Sequence, residues 1–88
     1  MPTEIQHSTY VSMVRAILLD DATAVAELAY RLDDVNMVDD TGRTILHIAV
    51  MHGSNQVLAP LLSAGADVDI VNEYGLTPIG LALRDGGH

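Results

Sequence analysis

The stretch from Asp39 to Asp69, DDTGRTILHIAVMHGSNQVLAPLLSAGADVD, decides the fold, because its opening recurs later in the chain at a fixed interval. Five positions return after 33 residues: Gly42, Thr44, Leu46, Ala49 and Gly53 reappear as Gly75, Thr77, Ile79, Ala82 and Gly86. Self-similarity at this spacing predicts units that stack one on another in an array. Each unit then needs to cover only its neighbours.

The start of the unit carries turn and helix-cap chemistry. Asp39 and Gly42 delimit a tight turn, since an Asp side chain can accept backbone N–H bonds and Gly tolerates positive φ. Thr44 follows at the position of an N-cap. This order predicts a short first helix from Ile45 to His52.

A second helix follows in the same unit. Gly53 ends the first helix, Ser54 is placed to cap the next one, and Gly65 is the expected left-handed stop. The apolar stripe of this helix consists of Val57, Leu58, Leu61 and Leu62. Pro60 falls inside the helix, where it removes a backbone donor, so we expect a kink on the convex side. The unit is a turn and two antiparallel helices.

These residues resemble the ankyrin repeat. Its pattern D-x-x-G-x-T-P-L-H-x-A is met by Asp39, Gly42, Thr44, Leu46, His47 and Ala49. The continuation L-L-x-x-G-A-D-V-N is met by Leu61, Leu62, Gly65, Ala66, Asp67 and Val68, while Ile45 replaces the motif proline and Asp69 the asparagine. The resemblance implies an all-α repeat fold, an ankyrin-type solenoid of helix-turn-helix units with β-hairpin or turn connections. It also implies that His47 hydrogen-bonds within the turn-helix framework.

The N-terminal third keeps the apolar pattern but loses the turn and cap residues, since Thr9 stands at the Gly position and Val11 at the Thr position. Terminal repeats are commonly atypical because one of their faces meets water. We therefore interpret residues 5–37 as an N-terminal capping repeat.

The capping repeat should contain two helices. The first is expected from Ser8 to Leu19 and the second from Ala22 to Leu32, with Asp20 or Asp21 as the cap of the second. Residues 38–70 then form the full repeat.

The third copy, residues 71–88, is partial. Thr77 is followed by Pro78, a cap with proline at the first helical position, which predicts a helix from Pro78 to Arg84. No second helix follows within the 88 residues, so this chain supplies no covering layer for an apolar face formed by Ile79, Leu81, Ala82 and Leu83. Either the array is longer, or another molecule covers the face, or the end frays. We expect residues 1–88 to form a single ankyrin-repeat domain.

The composition limits the partners. The net charge is −8, with 12 acidic residues against four Arg and no Lys, a field that repels nucleic acid and anionic membranes and attracts a basic protein surface. The alternative is that the acidity serves solubility alone. There is no cysteine, and neither a signal peptide nor an apolar run of membrane-spanning length is apparent. We expect an intracellular, cytoplasmic location.

No catalytic, cofactor or metal site is predicted. His47 and His52 are five residues apart, which does not bring two side chains onto one helical face. The Asp pairs at 20/21, 33/34 and 39/40 fall where caps and turns are expected. Nucleophile-elbow and phosphate-binding glycine motifs are missing. The sequence therefore argues against an enzyme.

What remains is a binding surface. In ankyrin proteins the hairpin tips and the exposed side of each first helix hold partners. Carried over by position, this selects Val38, Asp40, Thr41, Arg43, Met51, His52, Val71, Glu73, Tyr74, Leu76, Arg84 and Asp85. The leading hypothesis is a non-enzymatic module that binds a protein partner on its concave face. The alternatives are a homodimeric scaffold joined through the uncovered C-terminal face and an acidic inhibitor of a basic protein.

Overall fold

Five α-helices form the fold in a computed structural model that describes residues 4–84, with side chains from His7 onward. They are α1 (Glu4–Leu18), α2 (Ala22–Ala29), α3 (Ile45–Met51), α4 (Leu58–Ser63) and α5 (Pro78–Arg84), and a 3-10 turn at Asn55–Val57 leads into α4. The connections are turns, and no β-strand occurs in residues 4–84. The all-α repeat architecture is confirmed, with turns in place of hairpin strands.

The helices lie in two layers. Helix α3 packs between α1 and α5, and α2 packs against both α1 and α4. The first helices of the three units therefore form one layer and the second helices the other. The core between them is aliphatic, and its largest fully buried side chains include Met13, Ile17, Val25, Ile45 and Leu61.

The first unit is a helical hairpin, as predicted, with shifted ends. Helix α1 begins at Glu4, before the expected start, and α2 ends at Ala29, three residues before Leu32. Asp21 is the N-cap of α2, because its Oδ1 accepts the Ala24 N–H at 3.1 Å. This choice settles which of the two aspartates caps the helix.

Asp20 has a different role. Its φ of 54° is left-handed, and its Oδ1 accepts the Gln56 N–H of the next unit at 2.9 Å. In the 33-residue register Asp20 corresponds to Gly53, which has a φ of 66°. A non-glycine residue is held in this conformation by a hydrogen bond between units, which offsets the local steric cost.

The second unit corrects the prediction for Ser54. Its side chain makes no cap bond; instead its Oγ–H donates to the Ile17 carbonyl of the first unit at 2.7 Å. A 3-10 turn at Asn55–Val57 follows Ser54 where the second helix was expected to begin, and α4 starts only at Leu58. Ser54 is buried, so this hydroxyl joins two units where the sequence indicated a local cap.

The late start of α4 also explains Pro60. Pro60 is the third residue of α4, within the first turn, where backbone N–H groups have no partner inside the helix. The missing donor therefore leaves no hydrogen bond unmade, and the expected interior kink gives way to a 3-10 turn followed by a short α-helix. The helix ends at Ser63, and Gly65 follows as the predicted left-handed stop, with a φ of 98°.

Candidate protein-binding surface

The first turn, Asp39 to Arg43, is closed by its leading aspartate. The backbone N–H of Asp39 donates to the Arg43 carbonyl at 2.9 Å, and Gly42 N–H donates back to the Asp39 carbonyl at 3.0 Å. The carboxylate atom Oδ1 accepts the N–H groups of Thr41 at 2.9 Å and Arg43 at 3.0 Å. Gly42 has a φ of 78°, as the turn prediction requires.

Two side chains add to this carboxylate. Thr41 Oγ1 donates to Asp39 Oδ1 at 2.8 Å, and Arg43 Nε forms an ion pair with Oδ2 at 3.0 Å. Burial alone would raise the pKa of Asp39, but the hydrogen bonds from Arg43 and Thr41 and the Arg43 charge outweigh it and lower the pKa. Asp39 is therefore ionised and fully used in holding the turn.

The second turn, Asn72 to Leu76, repeats the geometry with a neutral residue. Asn72 N–H donates to the Leu76 carbonyl at 2.9 Å, and Gly75 N–H donates to the Asn72 carbonyl at 3.0 Å. Asn72 Oδ1 accepts the N–H groups of Tyr74 at 2.9 Å and Leu76 at 3.1 Å. The amide is buried, so its oxygen does the same work as the Asp39 carboxylate without a charge.

The two turns are joined directly. Glu73 N–H donates to the Thr41 carbonyl at 3.1 Å. Beneath them the fully buried His47 accepts the Thr44 N–H on Nδ1 at 3.1 Å, so its proton lies on Nε2, which donates to the Leu76 carbonyl at 2.9 Å. The predicted framework role of His47 is confirmed. The turns Asp39–Arg43 and Asn72–Leu76 therefore form one hydrogen-bonded ridge.

The first of two clefts lies on the N-terminal side of this ridge, and we call it the α1 cleft. Its volume is about 510 Å³, and its lining is His7, Tyr10, Met37, Val38, Asp39, Asp40, Thr41 and Arg43. Burial and, less strongly, the Asp39 charge raise the pKa of Tyr10, while Arg43 opposes them. The phenol is therefore neutral.

Sequence reasoning missed His7 and Tyr10. A signal was present, because the 33-residue register places His7 at the position of Asp40 and Tyr10 at that of Arg43. The N-terminal unit lacks the turn, however, and α1 runs through these positions, so they reach the cleft from a helix.

The second cleft lies on the other side of the ridge, and we call it the α5 cleft. Its volume is about 170 Å³, and its lining is Thr41, Arg43, Met51, Asn72, Glu73, Tyr74, Leu81 and Arg84. The guanidinium carbon of Arg84 lies 5.3 Å from the centre of the Tyr74 ring, within cation–π range. Arg43 Nη1 lies 4.0 Å from Met51 Sδ. This cleft brings together six of the predicted partner-binding residues: Thr41, Arg43, Met51, Glu73, Tyr74 and Arg84.

The other predicted partner-binding residues are placed less uniformly. Val38 and Asp40 line the α1 cleft and are exposed. Val71 and His52 are exposed but line neither cleft, and Leu76 is half-buried. Asp85 lies outside the described residues.

One part of the predicted self-association face requires correction. Leu81 is 3% exposed, because α5 packs this side chain toward α3. Ile79 and Leu83 are 64% and 74% exposed, and Ala82 is half-buried. Of the four predicted self-association residues, Ile79 and Leu83 are therefore the two that α5 leaves exposed.

The described part of the chain shows the geometry of neither of two other kinds of site, a metal site and a membrane span. Within it, no group of three or more His, Asp or Glu side chains is arranged to hold a metal ion. None of its helices combines the length and apolarity that crossing a bilayer requires. The geometry that the predicted partner-binding residues form is a ridge of two turns with a cleft on each side.

Comparison with known proteins agrees with the repeat geometry. A family model described as "Ankyrin repeats (3 copies)" matches residues 12–88. Ankyrin repeat protein 14 of Vaccinia virus is 39% identical over 54 residues, which is 61% of this chain and 23% of that protein. An ankyrin repeat domain-containing protein of Cowpox virus is also 39% identical over 54 residues, 61% of this chain and 8% of that protein.

A relative of another kind matches a longer stretch. The potassium channel AKT3 of rice is 38% identical over 74 residues, which is 83% of this chain and 8% of that protein. The chain thus spans less than a quarter of the length of each of these relatives.

Proposed function

The chain belongs to the ankyrin repeat family, and on that premise we propose that it is a non-enzymatic module that binds a protein partner across the two turns and the adjoining clefts. Ankyrin repeats generally mediate protein–protein interaction. The observation that carries the proposal for this chain is the α5 cleft, which gathers six candidate contact residues beside a ridge held by bonds between units. A preformed surface loses little conformational entropy on binding.

Tyr74 and Met51 are the expected anchors of the partner. Tyr74 is 67% exposed and lies beside Arg84, and Met51 is exposed on the same cleft. Aromatic and Met side chains suit the centre of an interface because one is amphipathic and the other adapts its shape. A partner that covers this cleft would bury both.

The test begins with a partner identified by pull-down from the native source and then purified. Tyr74→Ala and Met51→Ala should each weaken its Kd about tenfold, since each removes one or more kcal/mol of buried contact. Tyr30→Ala is the matched control, because Tyr30 is 92% exposed and lies on the layer of second helices, next to α4. Unchanged affinity in both cleft variants, with circular dichroism also unchanged, would refute the assignment of this surface.

Two finer features belong to the same proposal. The net charge of −8 favours a basic partner, in which case affinity should fall steeply with ionic strength. We place the module inside the cell, in the cytoplasm, and imaging of the tagged protein tests that location.

A second function, self-association through α5, is favoured by the exposure of Ile79 and Leu83. A two-fold pairing would place the same pair of residues from each copy against each other. Sedimentation equilibrium of the double variant Ile79→Ser, Leu83→Ser should then show monomer where the native chain shows dimer. Leu81 must be left intact, because its substitution would disturb the α3–α5 packing. A native chain that sediments as a monomer throughout the micromolar range would exclude this function.

A further inference from the structure

The α1 cleft and the α5 cleft differ in charge although Thr41 and Arg43 line both of them. The α5 cleft is lined by two arginines, Arg43 and Arg84, and by one carboxylate, Glu73. The α1 cleft has Arg43 but adds two carboxylates, Asp39 and Asp40. The distribution of charge along the surface is therefore uneven.

The charge of Asp39 is already offset by groups of the same turn. Its Oδ2 holds Arg43 Nε at 3.0 Å, and its Oδ1 accepts three bonds from Thr41 and Arg43. Asp40 is exposed on the rim and takes no part in that network. Because the Asp39 and Arg43 charges offset each other, Asp40 sets the sign of the α1 cleft, and it does so within a chain of net charge −8.

The walls of the α1 cleft are largely apolar. Tyr10, Met37 and Val38 contribute an aromatic ring, a flexible thioether and a branched aliphatic group. The cleft has a volume of about 510 Å³, which is that of a small ligand pocket. This volume is sufficient for one extended side chain and leaves room beside it. A ligand that fits has an apolar stem and a positive end, since an aromatic ring and a carboxylate both attract a cation.

We propose that the α1 cleft binds a lysine or arginine side chain from a basic segment of the protein partner, with its aliphatic stem against Tyr10, Met37 and Val38 and its charge at Asp40. The inference rests on the proposed function and adds a direction to it. The cationic residue of the partner lies at the α1 end, and the α5 cleft, where Asp39 offsets Arg43 and Glu73 offsets Arg84, receives a neutral part.

The test uses a capped pentapeptide, acetyl-Gly-Leu-Arg-Leu-Gly-amide, and the same peptide with Gln or Glu at the centre. Each is titrated into the ¹⁵N-labelled protein at low ionic strength while amide chemical shifts are followed. The Arg peptide should give saturable shifts at Tyr10, Val38 and Asp40, with at least fivefold tighter apparent binding than the Gln peptide and none measurable for the Glu peptide. Equal affinity for the Arg and Gln peptides would overturn the inference.

A matched pair of variants separates the cleft from the general field. Asp40→Asn and Glu73→Gln each remove one exposed negative charge at equivalent positions 33 residues apart. Asp40→Asn should weaken the Arg peptide at least threefold, and Glu73→Gln should leave it within a factor of 1.5. Equal effects of the two changes would show long-range attraction only, against the cleft. Both positions are exposed, so the fold should survive, and thermal unfolding checks that it does.

The peptide experiment also separates this inference from the proposed function. If Tyr74→Ala and Met51→Ala weaken binding of the purified partner but Asp40→Asn changes neither the partner's affinity nor the peptide shifts, the module binds proteins and the α1 cleft assignment is wrong. If the Arg peptide binds in the α1 cleft but Tyr74→Ala and Met51→Ala leave the partner's affinity unchanged, the inference holds and the partner surface in the α5 cleft is wrong.

Discussion

The turns Asp39–Arg43 and Asn72–Leu76 are copies 33 residues apart that keep one geometry with different chemistry. In each, the first residue supplies a side-chain oxygen that accepts two backbone N–H groups, and the fourth is a glycine at a φ between 76° and 78°. One turn uses a carboxylate paired with arginine and the other a buried neutral amide. The backbone path therefore depends on an acceptor and a glycine, while charge and neighbours are free to differ.

The neighbours do differ. A Cβ added to Gly42 would lie 3.0 Å from the Glu73 backbone nitrogen and 3.3 Å from the Asn72 carbonyl carbon, whereas one added to Gly75 would meet nothing within 4 Å. The first turn is covered by the second, and the second has open space beyond it. The position of a turn in the stack, more than its own residues, decides how much its loss would cost.

The hydrogen bond between His47 and the Leu76 carbonyl should give the largest effect on stability. His47→Ala leaves a cavity, removes the acceptor of the Thr44 N–H and removes one of the two donors to the Leu76 carbonyl, so the free energy of unfolding should fall by about 3 kcal/mol. The third unit has Gly80 at this register position and thus no counterpart of the bond. Urea unfolding measures the loss. His52→Ala, at an exposed position, is the control and should change stability by less than about 0.5 kcal/mol.

The glycine pair gives the sharpest contrast. Gly42→Ala should cost about 2 to 3 kcal/mol and Gly75→Ala about 1 kcal/mol, because both strain a left-handed residue but only Gly42 also meets a neighbouring backbone. Chemical denaturation of both variants at the same pH supplies the comparison. Equal losses of stability would mean that the second turn moves away from the new methyl group of Gly42→Ala without a cost in free energy. The two turns would then not differ in the way described.

The acceptor pair predicts a smaller, pH-dependent difference. The pKa of Asp39 is lowered on folding below its ordinary value of 3.8, so its contribution to stability is complete above that value and is lost as the pH falls through the folded-state pKa. Asp39→Asn should cost about 1 kcal/mol at pH 7 and progressively less below pH 4.

The measurement is urea unfolding of the native chain and of Asp39→Asn from pH 7 to pH 2. Asp40→Asn is the control, because it removes the neighbouring charge outside the hydrogen-bond network of the turn. It should leave the difference between pH 7 and pH 2 close to that of the native chain. A loss for Asp39→Asn that is the same at every pH would contradict the ionised-acceptor account.

Asp21 and Ser54 show how far prediction from the sequence could go. They are equivalent in the 33-residue register and both suit an N-cap, yet only Asp21 caps its own helix. Ser54 faces the first unit and donates to the Ile17 carbonyl, while Asp21, in that first unit, is exposed. Two residues that both suit an N-cap at equivalent positions thus form different hydrogen bonds, because the neighbouring unit differs. The same limit applies to the prediction of partner-binding residues, since register identifies their positions but not which cleft each residue lines.

The sequence by itself determined the 33-residue unit, the turn at Asp39, the caps at Thr44 and Thr77 and the helix ends at Gly53 and Gly65. Each of these depends on residues within a few positions, so a local pattern is sufficient. Only the tertiary structure decided what Ser54 and Asp20 bind and that Leu81 is buried. It also decided that Tyr10 faces the first turn. The bonds of Ser54 and Asp20 span 37 and 36 residues, and such partners meet only when one unit packs on the next.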